Sequence, residues 1–182
     1  MQRRRLLQLG LGAGLSAGLG LPKAWADEPP VDEPRTLAMH NLNTGETLEA
    51  LYWDKGAYVP DALDAVNKLM RDHRTGELHP IDPKLLDLLV AVHAKTEASG
   101  CFELICGYRA PETNAAMHRK SRQVARNSLH IEGMAADVRI AGVPLGHVHM
   151  AGLALRGGGV GLYPRSGFVH LDVGPVRQWS GT

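Results

Sequence analysis

Ser128-Leu129-His130-Ile131-Glu132-Gly133-Met134-Ala135-Ala136-Asp137 sets a histidine before a glycine turn and an aspartate on the strand that follows. In that strand, Ala135–Ile140, alternation gathers Ala136, Val138 and Ile140 on an apolar face. Asp137 therefore points to the other side, where its neighbour Ala135 is small and leaves room above the sheet. Phe168-Val169-His170-Leu171-Asp172-Val173 repeats the pattern: Val169, Leu171 and Val173 face inward, and His170 and Asp172 share the opposite face. If the two strands are neighbours in one sheet, His130, Asp137 and His170 meet at one point. Two imidazoles and a carboxylate with an open fourth position are the donor set of a catalytic zinc ion, one per chain. Such an ion lowers the pKa of water towards ~7.

Working outward, Thr36–Asn41 and Glu46–Trp53 flank Asn43-Thr44-Gly45 as a β-hairpin. Pro60-Asp61 opens a helix whose stripe is Leu63, Val66, Leu69 and Met70, with its end expected near Gly76. Asp82 is an N-cap followed by Pro83 at the first helical position. Leu85, Leu86, Leu89, Val90 and His93 then face inward, with Gly100 as the stop. Phe102–Gly107 and Val160–Tyr163 read as strands, Pro111–Arg119 and Val143–Leu155 as helices. Helices mostly early and strands mostly late predict an α+β fold, an antiparallel sheet with helices packed on one face.

The first 26 residues carry Arg3, Arg4, Arg5 and Lys23, no acid, a glycine-rich apolar stretch and a closing Ala24-Trp25-Ala26. That is the layout of an export signal. Gln2-Arg3-Arg4-Arg5-Leu6-Leu7-Gln8 resembles the twin-arginine motif, so the expected destination is a bacterial periplasm. Removing this segment from the 182 residues leaves 156, and the net charge passes from +1 to −3. Asp27–Arg35, with three prolines among acids, reads as a tether, and residues 36–182 as one domain with one core. The charge balance excludes a broadly basic nucleic-acid binder. No later apolar run approaches the ~20 residues of a membrane span.

An oxidising compartment permits a disulfide between Cys101 and Cys106. Along one strand, however, five steps of ~3.3 Å separate their Cα atoms by ~16 Å, against the ~7 Å limit for a bridge. Both are expected to be buried free thiols. His147-Val148-His149 imitates a ligand pair, but in a helix residues two apart diverge by about 200°. Tyr108 and Trp179 are expected to pack in the core rather than stack on a ligand.

Ser-x-His-x-x-Gly-x-Ala-x-Asp followed by a late histidine strand resembles the LAS metallopeptidases, which include D-alanyl-D-alanine carboxypeptidases and the hedgehog amino-terminal domain. Gly107-Tyr108-Arg109-Ala110-Pro111-Glu112-Thr113-Asn114 and Gly159–Gly174 bring the resemblance closer to the exported murein endopeptidase K branch. The resemblance covers roughly Thr36 to Trp179. It implies His130, Asp137 and His170 as zinc ligands, and Arg109 as the group that holds substrate and stabilises the oxyanion. It implies Ser128 and Asn114 as lining the substrate cleft.

Many relatives place a proton-accepting Glu or His three or two residues before the last ligand; here those positions are Gly167 and Phe168. Asp172 is the nearby candidate, either as general base or as a partner orienting a ligand. The implied activity is zinc-dependent hydrolysis of peptide cross-links in peptidoglycan, at D-Ala–diaminopimelate bonds, diaminopimelate–diaminopimelate bonds or both. The alternatives are a D,D- or L,D-carboxypeptidase that trims stem peptides, and a non-catalytic, zinc-stabilised peptidoglycan-binding module.

Overall fold

Ala136, Val138 and Ile140 are buried in the main apolar core together with Val169 and Leu171, so both alternating strands turn the expected face inward. The computed structural model describes residues 33–121 and 124–181. The export segment and most of the tether lie outside the described residues. Arg35, expected in the tether, instead opens the first strand, where its guanidinium pairs with Asp87 at 2.6 Å.

The elements run β1 (Arg35–Asn41), β2 (Thr47–Asp54), β3 (Ala57–Tyr58), α1 (Pro60–Leu69), α2 (Pro83–Lys95), β4 (Phe102–Cys106), α3 (Pro111–Lys120), β5 (Ala135–Ile140), α4 (Leu145–Leu155), β6 (Gly159–Tyr163), β7 (Phe168–Asp172) and β8 (Arg177–Ser180). All the strands join one sheet in the order β3-β2-β1-β4-β5-β7-β6-β8. Residues of α1, α2 and α4 share one apolar cluster with the inward faces of the strands.

The sheet is mixed, which corrects the expectation of an antiparallel one: β1 pairs with β4, and β6 with β8, in parallel. The physical reason is connection length. Between β1 and β4 lie a hairpin return and two helices, and a crossover of that size allows parallel pairing. At the other edge, the chain leaves β7, crosses the end of β6 and returns beside it as β8.

Two helix ends also depart from expectation. α1 ends at Leu69 rather than near Gly76, because Asp72 draws the backbone into a turn. Its Oδ1 accepts from the N–H of Arg74 at 2.8 Å and of Thr75 at 3.4 Å, while Gly76 N–H donates to Asp72 O. A short acidic side chain competing in this way ends a helix. α2 begins as read, with Asp82 Oδ1 accepting from Lys84 N–H at 2.9 Å. It ends at Lys95 rather than at Gly100, with Glu97 in the left-handed conformation. Its buried stripe is Leu85, Leu86, Leu88, Leu89 and Val92, so Val90 and His93 sit at the margin.

Asp72 does a second job. Its Oδ2 accepts from Ala110 N–H at 2.8 Å, which ties the chain just after Arg109 to the end of α1. Burial works to raise its pKa, but the Thr113 hydroxyl and the N–H groups of Arg74, Ala110 and Thr75 outweigh it and hold the carboxyl below its ordinary value. Asp72→Ala leaves buried donors unpaired, and we expect a loss of ~1–3 kcal/mol in urea unfolding. A lowered pKa contributes stability above the unfolded value and loses it as pH falls through the folded one. The gap between wild type and variant should therefore close below the ordinary carboxylate range; a gap independent of pH would contradict this.

Candidate metal centre and active site

The β5–β7 ladder sets Asp137 directly opposite His170. His130 arrives from the turn before β5 and is held twice by the end of β4. Its O accepts from Arg109 N–H at 3.1 Å, and its Nδ1 donates to Gly107 O at 2.7 Å. The turn needs Gly133, which has φ +67° and whose missing Cβ would lie 2.2 Å from Pro80 O. A side chain there would meet both backbone strain and a clash.

Three ligand atoms converge as a result. His130 Nε2 is 3.2 Å from Asp137 Oδ1 and 3.2 Å from His170 Nδ1, and His170 Nδ1 is 2.9 Å from Asp137 Oδ1. A tetrahedral ion with bonds of ~2.0–2.1 Å separates its ligand atoms by ~3.3 Å, so the triangle has nearly the required size. The outer nitrogens are also committed: His130 Nδ1 faces the Gly107 carbonyl, and His170 Nε2 donates to Asp172 Oδ2 at 2.9 Å. With those tautomers the inner nitrogens present lone pairs, as metal-bound histidines do. All three residues are at most 8% exposed. Three lone pairs facing one another in a buried place call for a cation, and the donor set fits one.

The charges respond accordingly. Burial disfavours a charged His130, but the Asp137 carboxylate and Cys106 overcome it and push its pKa up to about 10. Asp137, despite burial, is held well below the usual carboxylate range by His130 and His170.

Asp172 stands behind His170, fully buried. Besides His170 it accepts from Gly159 N–H at 3.0 Å, Gly174 N–H at 2.9 Å, and both terminal nitrogens of Arg177 at 3.1 and 2.8 Å. Burial raises its pKa, and these donors more than reverse that, to about 2. Gly159 is required here, since a Cβ would lie 2.4 Å from Asp172 Oδ2.

The centre opens onto a cleft of about 500 Å³. Arg109 and Ser128 line it. Arg109 is 6% exposed, and its Nη2 lies 3.8 Å from Asp137 Oδ2. Asn114 does not line the cleft, contrary to expectation. It is buried beneath Arg109, accepting from Nη1 at 3.1 Å and donating to the carbonyls of Ala125 and Arg126 at 3.0 Å. A buried amide at the first turn of α3 can satisfy all these groups only by facing inward. Trp179 also departs from expectation: it lines the cleft and donates to the Tyr163 hydroxyl at 2.8 Å. Tyr108 is buried, as read. His147 and His149 lie on α4 and join no metal-sized cluster among the described residues.

Cys106 is the site residue that alternation misplaces. Both cysteines are free but only half-buried, which corrects the expectation of buried thiols. β4 follows β5 in register through Leu104↔Val138, then one residue is inserted and Cys106 pairs with Asp137. The bulge carries Cys106 to the metal face. Burial acts to raise its pKa, but His130 and Arg109 outweigh that and lower it. The signal available in sequence was Gly107, since a glycine closing a strand can mark a bulge.

Comparison with known proteins places the whole domain in a family. The M15 peptidase family model described as "Peptidoglycan L,D-endopeptidase MepK" matches residues 30–179. The chain belongs to this family. It is a metallopeptidase, in the branch that its motifs resemble. It is 42% identical over 181 residues to the "Probable peptidoglycan L,D-endopeptidase MepK" of Haemophilus influenzae, covering 98% of this chain and 96% of that protein. It is 40% identical over 177 residues to the "Peptidoglycan L,D-endopeptidase MepK" of Escherichia coli K12, covering 97% and 96%. No solved structure matches significantly.

With the His130 pKa raised to about 10 by Asp137 and Cys106, binding of a metal ion through His130 should release a proton near neutrality. Apparent affinity should rise about tenfold per pH unit through neutrality and level off near the raised pKa. Chelator competition at several pH values measures this, and a flat profile would exclude His130 as a ligand.

Proposed function

We propose that this peptidase is a zinc-dependent murein endopeptidase of the bacterial periplasm, hydrolysing peptide cross-links of peptidoglycan. One observation carries the reading: two imidazole nitrogens and a carboxylate oxygen converge within 2.9–3.2 Å beside an open cleft. His130, Asp137 and His170 would hold the ion. When bound, zinc supplies Lewis acidity and brings the pKa of water near ~7.

The remaining roles belong to the chain. Arg109 presents a guanidinium to the cleft, braced by Asn114, and is placed to hold the substrate carbonyl and the negative charge that develops on its oxygen. Asp172 orients His170 rather than accepting a proton from water, since it lies behind the ring with five donors on its two oxygens. Ser128 borders the same cleft and offers a hydroxyl to the substrate. Tyr163, Phe168 and Trp179 give one wall an aromatic surface for the peptide stem.

The relatives' names support one choice of bond. An L,D-endopeptidase cuts between an L-configured carbonyl side and a D-configured amine side. Of the two cross-links considered above, that description fits diaminopimelate–diaminopimelate. The domain that carries this activity would act after export, with Gln2–Gln8 supporting the twin-arginine route and Asp27–Arg35 read as the tether, of which Arg35 joins the first strand.

The test is digestion of purified sacculi that contain both kinds of cross-link, with mass spectrometry of the fragments and metal analysis of the same protein. We expect loss of diaminopimelate–diaminopimelate dimers, abolished by chelator and restored by zinc. Shortened stems with dimers intact would indicate a carboxypeptidase, and binding without products a non-catalytic module. Asp172→Asn should weaken zinc affinity ~10–100-fold, whereas undiminished affinity with lost turnover would return Asp172 to the role of base. Arg109→Lys should lower kcat by ~10²-fold or more with metal content unchanged; wild-type kinetics would remove it from the mechanism.

A further inference from the structure

The bulge in β4 has no use in the chemistry above, yet it decides which side chain faces the metal. Strict alternation from Leu104↔Val138 would put Ile105 opposite Asp137 and turn Cys106 inward; the inserted residue puts Cys106 there instead. The ligand atoms of Cys106, His130 and Asp137 all lie within 4.8 Å of one another. A second observation concerns Arg109. Its Nη2 donates to Cys106 Sγ at 3.5 Å, and its buried Nε has no hydrogen-bond partner among the described residues. A nine-tenths buried guanidinium thus packs against the sulfur and holds it on the polar face of the sheet.

We infer that Cys106 is a further metal ligand, one that exchanges with water at the open corner of the centre. Thiolate is a strong ligand for zinc, with a bond of ~2.3 Å. Ligand atoms around such an ion lie ~3.5 Å apart, so the sulfur would have to move closer than the 4.8 Å bound within which it stands to His130 and Asp137. In the closing step the thiol gives its proton to solvent, a sulfur–metal bond forms and a water leaves. Reopening reverses each of these, so no oxidant is needed. With the sulfur bound, four residues of the chain would hold the ion and compete with substrate for it; with the sulfur released, three would. Capping the thiol covalently would hold the centre open.

This inference rests on the metal centre proposed above, and the test separates the two. Cys101→Ser leaves Cys106 as the single thiol. Loaded with cobalt(II), this protein should show a thiolate-to-cobalt charge-transfer band in the near ultraviolet. Adding Cys106→Ser should remove the band while the same amount of cobalt stays bound. In parallel, zinc should slow the reaction of Cys106 with a disulfide reagent at least tenfold, and chelator should restore it. Cobalt bound one per chain without the band, or a thiol rate indifferent to zinc, would overturn the inference and leave the metal centre standing. Failure to bind cobalt at all would overturn both.

Discussion

One pairing underlies the site: Asp137 opposite His170 across two antiparallel strands. Directly opposed residues bring their Cβ atoms to ~4.5–5.5 Å, close enough for an imidazole and a carboxylate to reach a shared point. Both strands are buried on the other face by Ala136, Val138, Val169 and Leu171. A slip of one residue would send the ligands into the core and the valines into the cleft. The hydrophobic cost of that exchange fixes the register, and the register fixes where the two imidazoles and the carboxylate converge. The apolar face of the sheet therefore determines the chemistry of the polar one.

Holding three lone pairs together without a proton or an ion would be costly at this depth, so the surroundings are built to restrain them. His130 is gripped through both ring and backbone by residues 107–109. His170 is braced by Asp172, which is itself fixed by two backbone N–H groups and Arg177. Asp72 extends the restraint outward by fastening the chain beside Arg109 to the end of α1. Each buried acceptor in this set has a donor, the condition under which a polar network rigidifies a site instead of weakening it.

The sequence made legible whatever depends on alternation and punctuation. The faces of β5 and β7, the N-cap at Asp82 and the glycine turn at Gly133 could all be read locally, and they are what bring the ligands together. What could not be read depends on partners distant in the chain. The parallel pairing of β1 with β4 is a property of the crossover between them, not of either strand. β8, a strand of four residues just after Pro175, has too little pattern to announce itself, yet it delivers Arg177 to Asp172 and Trp179 to the cleft. Asn114 carries a polar side chain on a helix start, and only the loop at 125–126 shows that it faces inward. Cys106 required one inserted residue, which shifts a face without altering composition.

Charge shows the same division between what is summed and what is placed. The acidic balance of residues 27–182 argues against polyanions as partners, yet the cleft is lined by Arg74, Arg109 and Arg177, with Asp137 its one acid among the described residues. Arg177 is neutralised by Asp172 and Arg109 lies beside Asp137, so their fields are short-ranged, while Arg74 is exposed at the mouth. A substrate arriving there meets positive potential at close quarters and none at a distance beyond the ~8–10 Å over which salt screens. Such a cleft favours local anionic groups, such as the free carboxylates of a peptide stem, over an extended charged polymer. Recognition of the cross-link would then come from the stem peptides that reach the arginines, not from attraction to the wall as a whole.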